Sequence, residues 1–453
     1  MKRRASNKGP EEMVREIISW CTDCDCCRGL MDDNSCLFFP ELFRLYDRTE
    51  GHFELIAPAE LRSLIELCNA CGMCPCSNVR TDIREAKDAF VARDGLPSSI
   101  RILEDVQRLG KFCGVFPRLA NVLLAKNSSA SVLKHVTGIH PNRTLPVIPQ
   151  ENFATWASKR GLNRKSGGMG RKAAYFVGCT AKYLFPSVAK AVVAVLEHNG
   201  IEVYVPEQKC CGMPSLLEGD QPFTFELAGF NLESLCNAVD EGYDIVCSCP
   251  TCGYVLTKVL SDGVDYSKEP QALVRKQVKE ANGDPEEFSE IFSEVLFNDH
   301  GYFSSLNGLR RIKLSVRTFD LGEYLKHLAA AGELKAPLTR ITGRIAYFPP
   351  CHLREQQIGL PWWDLLASIP GIAMEKVGGD FDCCGMAGIM GFKKDFYESS
   401  LAMGTHVFDK IRKANPGRLV TDCLSCRMQF NHAVPYEVLH PVEILREAYG
   451  ISK

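Results

Sequence analysis

The sequence predicts a helical N-terminal domain followed by two tandem, pseudo-symmetric α/β domains, and three observations carry that prediction. Cys179, the run Cys210-Cys211-Gly212 and Cys249-x-x-Cys252 recur as Cys351, Cys383-Cys384-Gly385 and Cys423-x-x-Cys426, each member 172 to 174 positions after its counterpart. In both copies, apolar runs of strand length alternate with helical patterns, and the cysteines fall at strand ends. Between residues 139 and 170, Pro141, Pro146, Pro149 and the run Lys165-Ser-Gly-Gly-Met-Gly170 punctuate the chain at its clearest boundary. These signals divide it into residues 1–165, 171–340 and 341–453, with 260–338 a polar, helix-like insertion that completes the first copy.

From Glu11 to about Ala125 the pattern is helical. Leu61, Leu64, Ile65 and Leu67 precede Cys68 at helical spacing, and Ile83, Ala86 and Phe90 follow Cys76 in the same way. In the first copy, residues 173–177 form a strand ending at Gly178-Cys179, and residues 188–196 a helix stopped by Asn199-Gly200. An alternating strand at 201–205 leads to Cys210, a helix spans 230–239, and a strand at 243–246 delivers Cys249 and Cys252. The second copy repeats this with a strand at 344–348 before Cys351, a helix through Trp362 to Leu366, and a strand ahead of Cys383. A helix at 396–411 and the pair Leu419-Val420 before Cys423 complete it. That order predicts parallel sheets with the thiols gathered at the carboxyl ends of the strands.

Composition narrows the classes. The 453 residues are 45% hydrophobic and 24% charged, as in ordinary globular proteins. With 53 basic and 55 acidic residues the formal net charge is −2, so there is no electrostatic footprint for nucleic acid, and none is expected as a partner. Met1-Lys-Arg-Arg runs into Glu11, Glu12, Arg15 and Glu16 with no apolar stretch before Cys21, unlike a secretory signal. The most apolar run, Val188 to Leu196, is interrupted by Lys190 and is too short to span a bilayer. A soluble, cytoplasmic protein is expected, peripheral at most at the inner face of the membrane through a partner. The 22 cysteines are crowded into CxxC and CC units, where neighbouring thiols share a metal centre more readily than they pair as disulfides.

Vicinal cysteines followed by glycine are a poor zinc site, since structural zinc usually takes four ligands from two spaced pairs. Five thiols in a 1 + 2 + 2 pattern point to a larger iron–sulphur assembly. Its electron-rich sulphides require close backbone N–H donors, which Gly212 and Gly385 permit. Lys182 and Arg354, each three positions after the first thiol of its copy, are placed to offset cluster charge, although each alone is also ordinary for a solvated residue after a turn. Upstream, Cys21-x-x-Cys24-x-x-Cys27 with Cys36, and Cys68-x-x-Cys71-x-x-Cys74 with Cys76, stand at ferredoxin-like spacing.

The motif Cys…Cys-Cys-Gly…Cys-x-x-Cys, present twice behind such a segment, resembles the cysteine-rich CCG-domain family. That family includes subunits of heterodisulfide reductase (B and D), the C subunit of anaerobic glycerol-3-phosphate dehydrogenase, and iron–sulphur subunits of lactate and glycolate oxidation. The likeness runs from Cys21 to about His440. It implies a helical two-cluster ferredoxin-like domain followed by two CCG domains, each complete unit holding a noncubane [4Fe-4S] centre. By motif match the ligands would be Cys179, Cys210, Cys211, Cys249 and Cys252 in one, and Cys351, Cys383, Cys384, Cys423 and Cys426 in the other.

The N-terminal segment departs from the usual pattern. A bacterial ferredoxin motif places its fourth cysteine four positions after the third; Met31 and Asn78 occupy those places here, so Cys36 arrives late and Cys76 early. Two cubane [4Fe-4S] clusters are expected from the eight thiols. Cys26 remains an alternative to Cys27, and one cluster or a zinc an alternative to two. Cys113 and Cys236 read as small buried residues, and Cys247 as a packed strand end that lies near enough to a centre to react. His352, directly after Cys351, is a candidate proton donor, with a capping or surface role as its alternative.

No G-x-G-x-x-G follows a strand, so the primary donor is expected to be another polypeptide. The sequence thus predicts an iron–sulphur electron-transfer subunit of an oxidoreductase in anaerobic metabolism. It would pass electrons from a flavoprotein dehydrogenase, or another redox protein, towards a quinone or a membrane quinone-reactive partner. The alternative is a heterodisulfide reductase-type catalytic subunit that cleaves a disulfide at the noncubane clusters.

Overall fold

The computed structural model describes residues 8–31, 36–124, 134, 137–165, 170–265, 298–337 and 339–452. Most of the 165–170 run and residues 266–297 and 338 of the expected insertion lie outside the described residues.

The N-terminal region is helical. Helix α1 (Pro10–Cys24) begins with proline at its first position and Glu11 and Glu12 in its first turn, which suit a helix N-terminus. It buries Val14, Ile17, Ile18 and Cys21. Helices α2 (Phe38–Arg48), α3 (Pro58–Glu66) and α4 (Ser77–Asp94) close a core with it around Phe38, Leu42, Leu61, Ile65, Ile83 and Phe90. Helices α1 and α4 run antiparallel, since Arg93 near the end of α4 pairs with Glu11 at the start of α1 at 2.8 Å. Three short helices follow, α5 (Ser98–Glu104), α6 (Val106–Val115) and α7 (Pro117–Leu124).

Two four-stranded parallel sheets make up the rest. The first has β1 (Lys172–Phe176), β2 (Glu202–Tyr204), β3 (Asp244–Cys247) and β4 (Thr318–Asp320) in the order β2-β1-β3-β4. The second has β5 (Gly343–Tyr347), β6 (Ile372–Lys376), β7 (Arg418–Val420) and β8 (Val438–Leu439) in the matching order β6-β5-β7-β8. All pairings within both are parallel. Each sheet is crossed by one helix after its first strand and one after its second: α8 (Pro186–His198) and α9 (Gln221–Asp240) in the first copy, α10 (Pro361–Ala367) and α11 (Tyr397–Ala414) in the second. Helix α9 starts well before the expected residue 230, because Asp220 caps it by accepting from the Phe223 N–H at 3.1 Å.

The fourth strands are additions to the sequence expectation. Within 260–338, read as a helical insertion, the described residues include β4, which extends the first sheet beside β3, and a short antiparallel pair between residues 264–265 and 298–299. The stretch read as a boundary is also packed tightly. Arg143 is fully buried, donates to Gln429 Oε1 at 2.6 Å and Ser400 Oγ at 3.3 Å, and lies over the Tyr397 ring.

The two sheets share one core. Val188, Val192 and Leu196 of α8 join Tyr175, Tyr347, Trp362, Leu419, Ile444 and Leu445 in a single apolar cluster. Trp362 is wholly buried and lies so close to Gly322 that a side-chain carbon there would come within 2.8 Å of the indole. Replacing Trp362 by Ala should lower the stability of the intact chain by about 3–5 kcal/mol, read as the midpoint of anaerobic denaturant unfolding. A change below about 1 kcal/mol would mean that the shared core is not what holds the sheets together.

Candidate iron–sulphur sites

Parallel strands deliver their side chains to one edge, and here that edge collects sulphur. Cys179 follows β1, Cys249 follows β3, Cys351 follows β5 and Cys423 follows β7, while Cys210-Cys211 and Cys383-Cys384 come from the loops after β2 and β6. In the first pentad the Cys210 thiol approaches Cys179 Sγ at 3.6 Å. Cys211 accepts from Cys210 and Cys252, which pulls its thiol down to about 6. Cys249 accepts from Cys252 and also from Cys423, a member of the second pentad, and is held well below the usual thiol range. Cys384 is lowered in the same way by Cys383 and Cys426. A continuous string of thiols therefore runs through both pentads and joins them at Cys249 and Cys423; Cys351 stands beside it, within the field of Cys384.

All five thiols of the first pentad line one cavity of about 610 Å³. Among the described residues no three His, Cys, Asp or Glu side chains converge as a single-ion site. The thiols instead spread along a wall, a donor set that suits a multi-iron group better than one tetrahedral ion. The backbone is shaped to match. Gly385 N–H donates to Cys383 Sγ at 3.3 Å, and Gly212 N–H donates to Cys210. Both glycines have positive φ, +82° and +90°. At Gly385 an added methyl would strike the Ser400 carbonyl oxygen, whereas at Gly212 the nearest atom is 3.8 Å away, so only the second is a purely conformational requirement. Gly178, φ +71°, was not singled out in the sequence; a Cβ there would sit 2.9 Å from Cys252 Sγ. These residues fit the group that the motif implies: the thiols would ligate it, and the glycines would admit it and donate to its sulphurs.

The N-terminal cysteines also gather, but across the grouping that chain order suggests. Burial pushes Cys21 up to about 12, with the fields of Cys27, Cys76 and Cys24 adding to it; Cys27, up to about 11, likewise feels Cys26, Cys76 and Cys24. Cys36, up to about 12 through burial, feels Cys68 and then Cys27. Cys71 is raised by burial and then by Cys351, Cys74 and Cys36. The field of Cys76 thus acts on Cys21 and Cys27, and that of Cys36 on Cys71 and Cys74. The cause is the antiparallel packing of α1 and α4, which sets Cys76, the residue before α4, beside the end of α1. Cys24, Cys26 and Cys76 are exposed, while Cys71 reaches the second pentad.

Three expectations take a different form. Arg354 acts first as a clamp, donating to the carbonyls of Pro349, Gly379 and Asp382 at 2.9, 3.2 and 2.9 Å; burial pushes the Cys351 thiol up to about 11, and the Arg354 charge opposes that rise. Lys182 lies within the field of Cys179, which favours its charged form, but burial and Lys111 outweigh this and depress its pKa. His352 has both ring nitrogens engaged, Nδ1 with Thr251 Oγ1 at 3.0 Å and Nε2 with the Ala70 carbonyl at 3.2 Å, and its ring stacks on Tyr254. With the carbonyl accepting from Nε2–H, this is a neutral bridging histidine, which burial favours, rather than a free proton donor.

Cys236 and Cys247 are buried, and Cys113 is half-buried against the apolar cavity rather than in the core. Two features gave no sequence signal. Lys87, buried, donates to the carbonyls of Cys68 and Leu217, both at 2.8 Å, tying α4 to the first copy. Asp320 and Asp422 are buried behind the pentads; burial pushes Asp320 up to about 7 and Asp422 well above the carboxylate range, and Tyr347 donates to Asp422 Oδ1 at 3.3 Å.

These glycines lead to a contrast. Gly385→Ala should lower the iron and sulphide content of the chain, while Gly212→Ala should retain its iron and lose about 1–3 kcal/mol of stability through strain. Equal iron retention in both would show that the Ser400 contact does not matter.

Comparison with known proteins agrees with this architecture. The cysteine-rich domain model named CCG matches residues 173–257 and 345–431, one match on each sheet. The C subunit of anaerobic glycerol-3-phosphate dehydrogenase from Escherichia coli is 26% identical over 354 residues, 77% of this chain and 76% of that protein. The B subunit of fumarate reductase (CoM/CoB) from Methanothermobacter marburgensis is 28% identical over 282 residues, 61% of this chain and 45% of its own. Lactate utilization protein A of an Exiguobacterium species is 26% identical over 281 residues, 60% of this chain and 96% of its own. Two stretches of the chain, one on each sheet, therefore match the cysteine-rich domain named CCG.

Proposed function

We propose that this chain is the iron–sulphur electron-transfer subunit of an oxidoreductase complex, taking electrons from a flavoprotein partner and passing them towards a quinone. The observation that carries this reading is the unbroken adjacency of four thiol sets. Cys27 acts by its field on Cys36 and Cys74; Cys71 lies within the field of Cys351 and acts on Cys383; and the second pentad meets the first at Cys249 and Cys423. When bound, two cubane and two noncubane [4Fe-4S] clusters supply one-electron carriers at these positions. The chain's own residues fix the order and tune the sites: thiols hold, Gly178 and Gly385 admit close approach, the Gly212 N–H donates to Cys210, and Arg354, Lys182 and Arg80 bring positive charge near the thiolates. The helical region 1–165 would be the ferredoxin-like input domain, with the CCG domains at 171–340 and 341–453. The exposed Cys24, Cys26 and Cys76 make the N-terminal set the entry for the flavoprotein.

The names of the relatives support this reading, since two of them are subunits of a dehydrogenase and a reductase. Isolated without oxygen, the chain should carry about sixteen iron atoms. Cys71→Ser should slow flavoprotein-driven reduction of the CCG centres about ten- to a hundredfold, while the first N-terminal set is still reduced at the normal rate by freeze-quench spectroscopy. Unchanged reduction of the CCG centres would break the proposed order, and rapid turnover of a low-molecular-weight disulfide would favour disulfide cleavage instead.

A further inference from the structure

The 610 Å³ cavity beside the first pentad leads outward to a surface unlike any other on the described molecule. Its outer wall is α6 and α7, with Phe112 and Leu124 on its lining. Phe112, Val115, Leu119 and Val122 on these helices, Phe116 between them and Val147 beside them are each between 56% and 78% exposed. Among the described residues, five of the thirteen large exposed hydrophobic ones thus fall within residues 106–124. Phe112 and Val115 are three positions apart on α6 and Leu119 and Val122 three apart on α7, so each helix presents a pair on one face, with Phe116 at the bend between them. The same 19 residues hold Arg108, Lys111 and Arg118, all exposed, and no carboxylate. The nearest acid in sequence, Asp105, caps α6 by accepting from the Arg108 N–H at 2.9 Å.

This surface is firmly mounted. Gly110 on α6 packs against the Tyr183 ring so closely that an added methyl would overlap it, which fixes α6 to the short helix that begins with Cys179. Asn121 on α7 makes two reciprocal hydrogen bonds with the Ile148 backbone, 2.9 Å to its carbonyl and 2.7 Å from its N–H, which holds Val147 outward. A rigid apolar face on helices whose own charges are all positive is what an anionic bilayer surface recognises: rings enter the interface and lysine and arginine meet the headgroups. Among the described residues no helix is long and apolar enough to cross a membrane, so this contact would lie in the interfacial plane.

We propose that α6 and α7 seat the protein on an anionic lipid surface, with the mouth of the cavity facing the bilayer, so that a lipid-borne apolar acceptor reaches the first pentad without crossing water. The second half of the proposal rests on the electron-transfer reading above; the lipid contact does not, and is measured apart from it. The cluster-loaded full chain should co-sediment with phosphatidylglycerol vesicles at least about tenfold better than with phosphatidylcholine vesicles. The double variant Phe112→Ser/Phe116→Ser and the triple variant Arg108→Glu/Lys111→Glu/Arg118→Glu should each lose about tenfold or more of that binding while retaining iron content. Leu55→Ser/Val316→Ser, which removes exposed apolar groups elsewhere, should bind as before. In Phe116→Trp, tryptophan emission should shift to the blue on vesicle addition and be quenched by brominated acyl chains. Absence of binding to phosphatidylglycerol, equal binding by the Phe112 and Phe116 variant, or an unquenched tryptophan would each overturn the proposal. A chain that still accepts electrons from its partner but ignores vesicles would overturn the lipid seat alone and point to another subunit as the cover for this face.

Discussion

The structure depends on one constraint: two parallel sheets packed on a common core must point their carboxyl edges at the same place. Tyr175 and Tyr347 sit at equivalent positions of β1 and β5 within that core, and the loops beyond them carry Cys179 and Cys351. Because both edges converge, Cys423 of one copy reaches Cys249 of the other. A gene duplication that kept the copies apart would have yielded two separate centres. The shared core makes them neighbours, and it buries eight of the ten thiols.

Burying so much potential negative charge has an electrostatic cost. Few cations stand near the pentads, and those present are partly committed elsewhere, as Arg354 is to three carbonyls. The compensation comes largely from backbone dipoles, such as the N–H groups of Gly212 and Gly385, and from hydrogen-bonded neutral groups. Asp320 and Asp422 fit the same pattern, since burial disfavours their charged forms beside the sulphur string. The two sites are not equivalent. The first opens into an apolar cavity, while the second borders a cleft of about 530 Å³ lined by Cys74, Cys351, Arg354, Glu355 and Lys376.

Much of this was legible in the sequence because the repeat is chemical as well as periodic. Identical thiol offsets fixed which residues share a site, and strands such as Lys172–Phe176 and Gly343–Tyr347 are apolar enough to register by pattern alone. The short strands β4 and β8 lie beyond the last thiol of each copy, so neither periodicity nor a cysteine marked them and the fourth strand of each sheet passed unseen. The crossed pairing of Cys36 and Cys76 was hidden for another reason: it is set by the antiparallel contact of two helices distant in sequence. Lys87 and His352 were similarly opaque, because a buried lysine that binds carbonyls and a histidine that bridges two segments look locally like any surface pair.

His352 has a mechanical meaning. Its two nitrogens bind Thr251 in the first copy and Ala70 in the N-terminal helical region, while its own backbone belongs to the second. One neutral ring thus fastens all three parts at the point where their sulphurs approach one another. A protein so pinned behaves as a fixed conduit rather than a swinging carrier, and internal hopping in it would be insensitive to solvent viscosity.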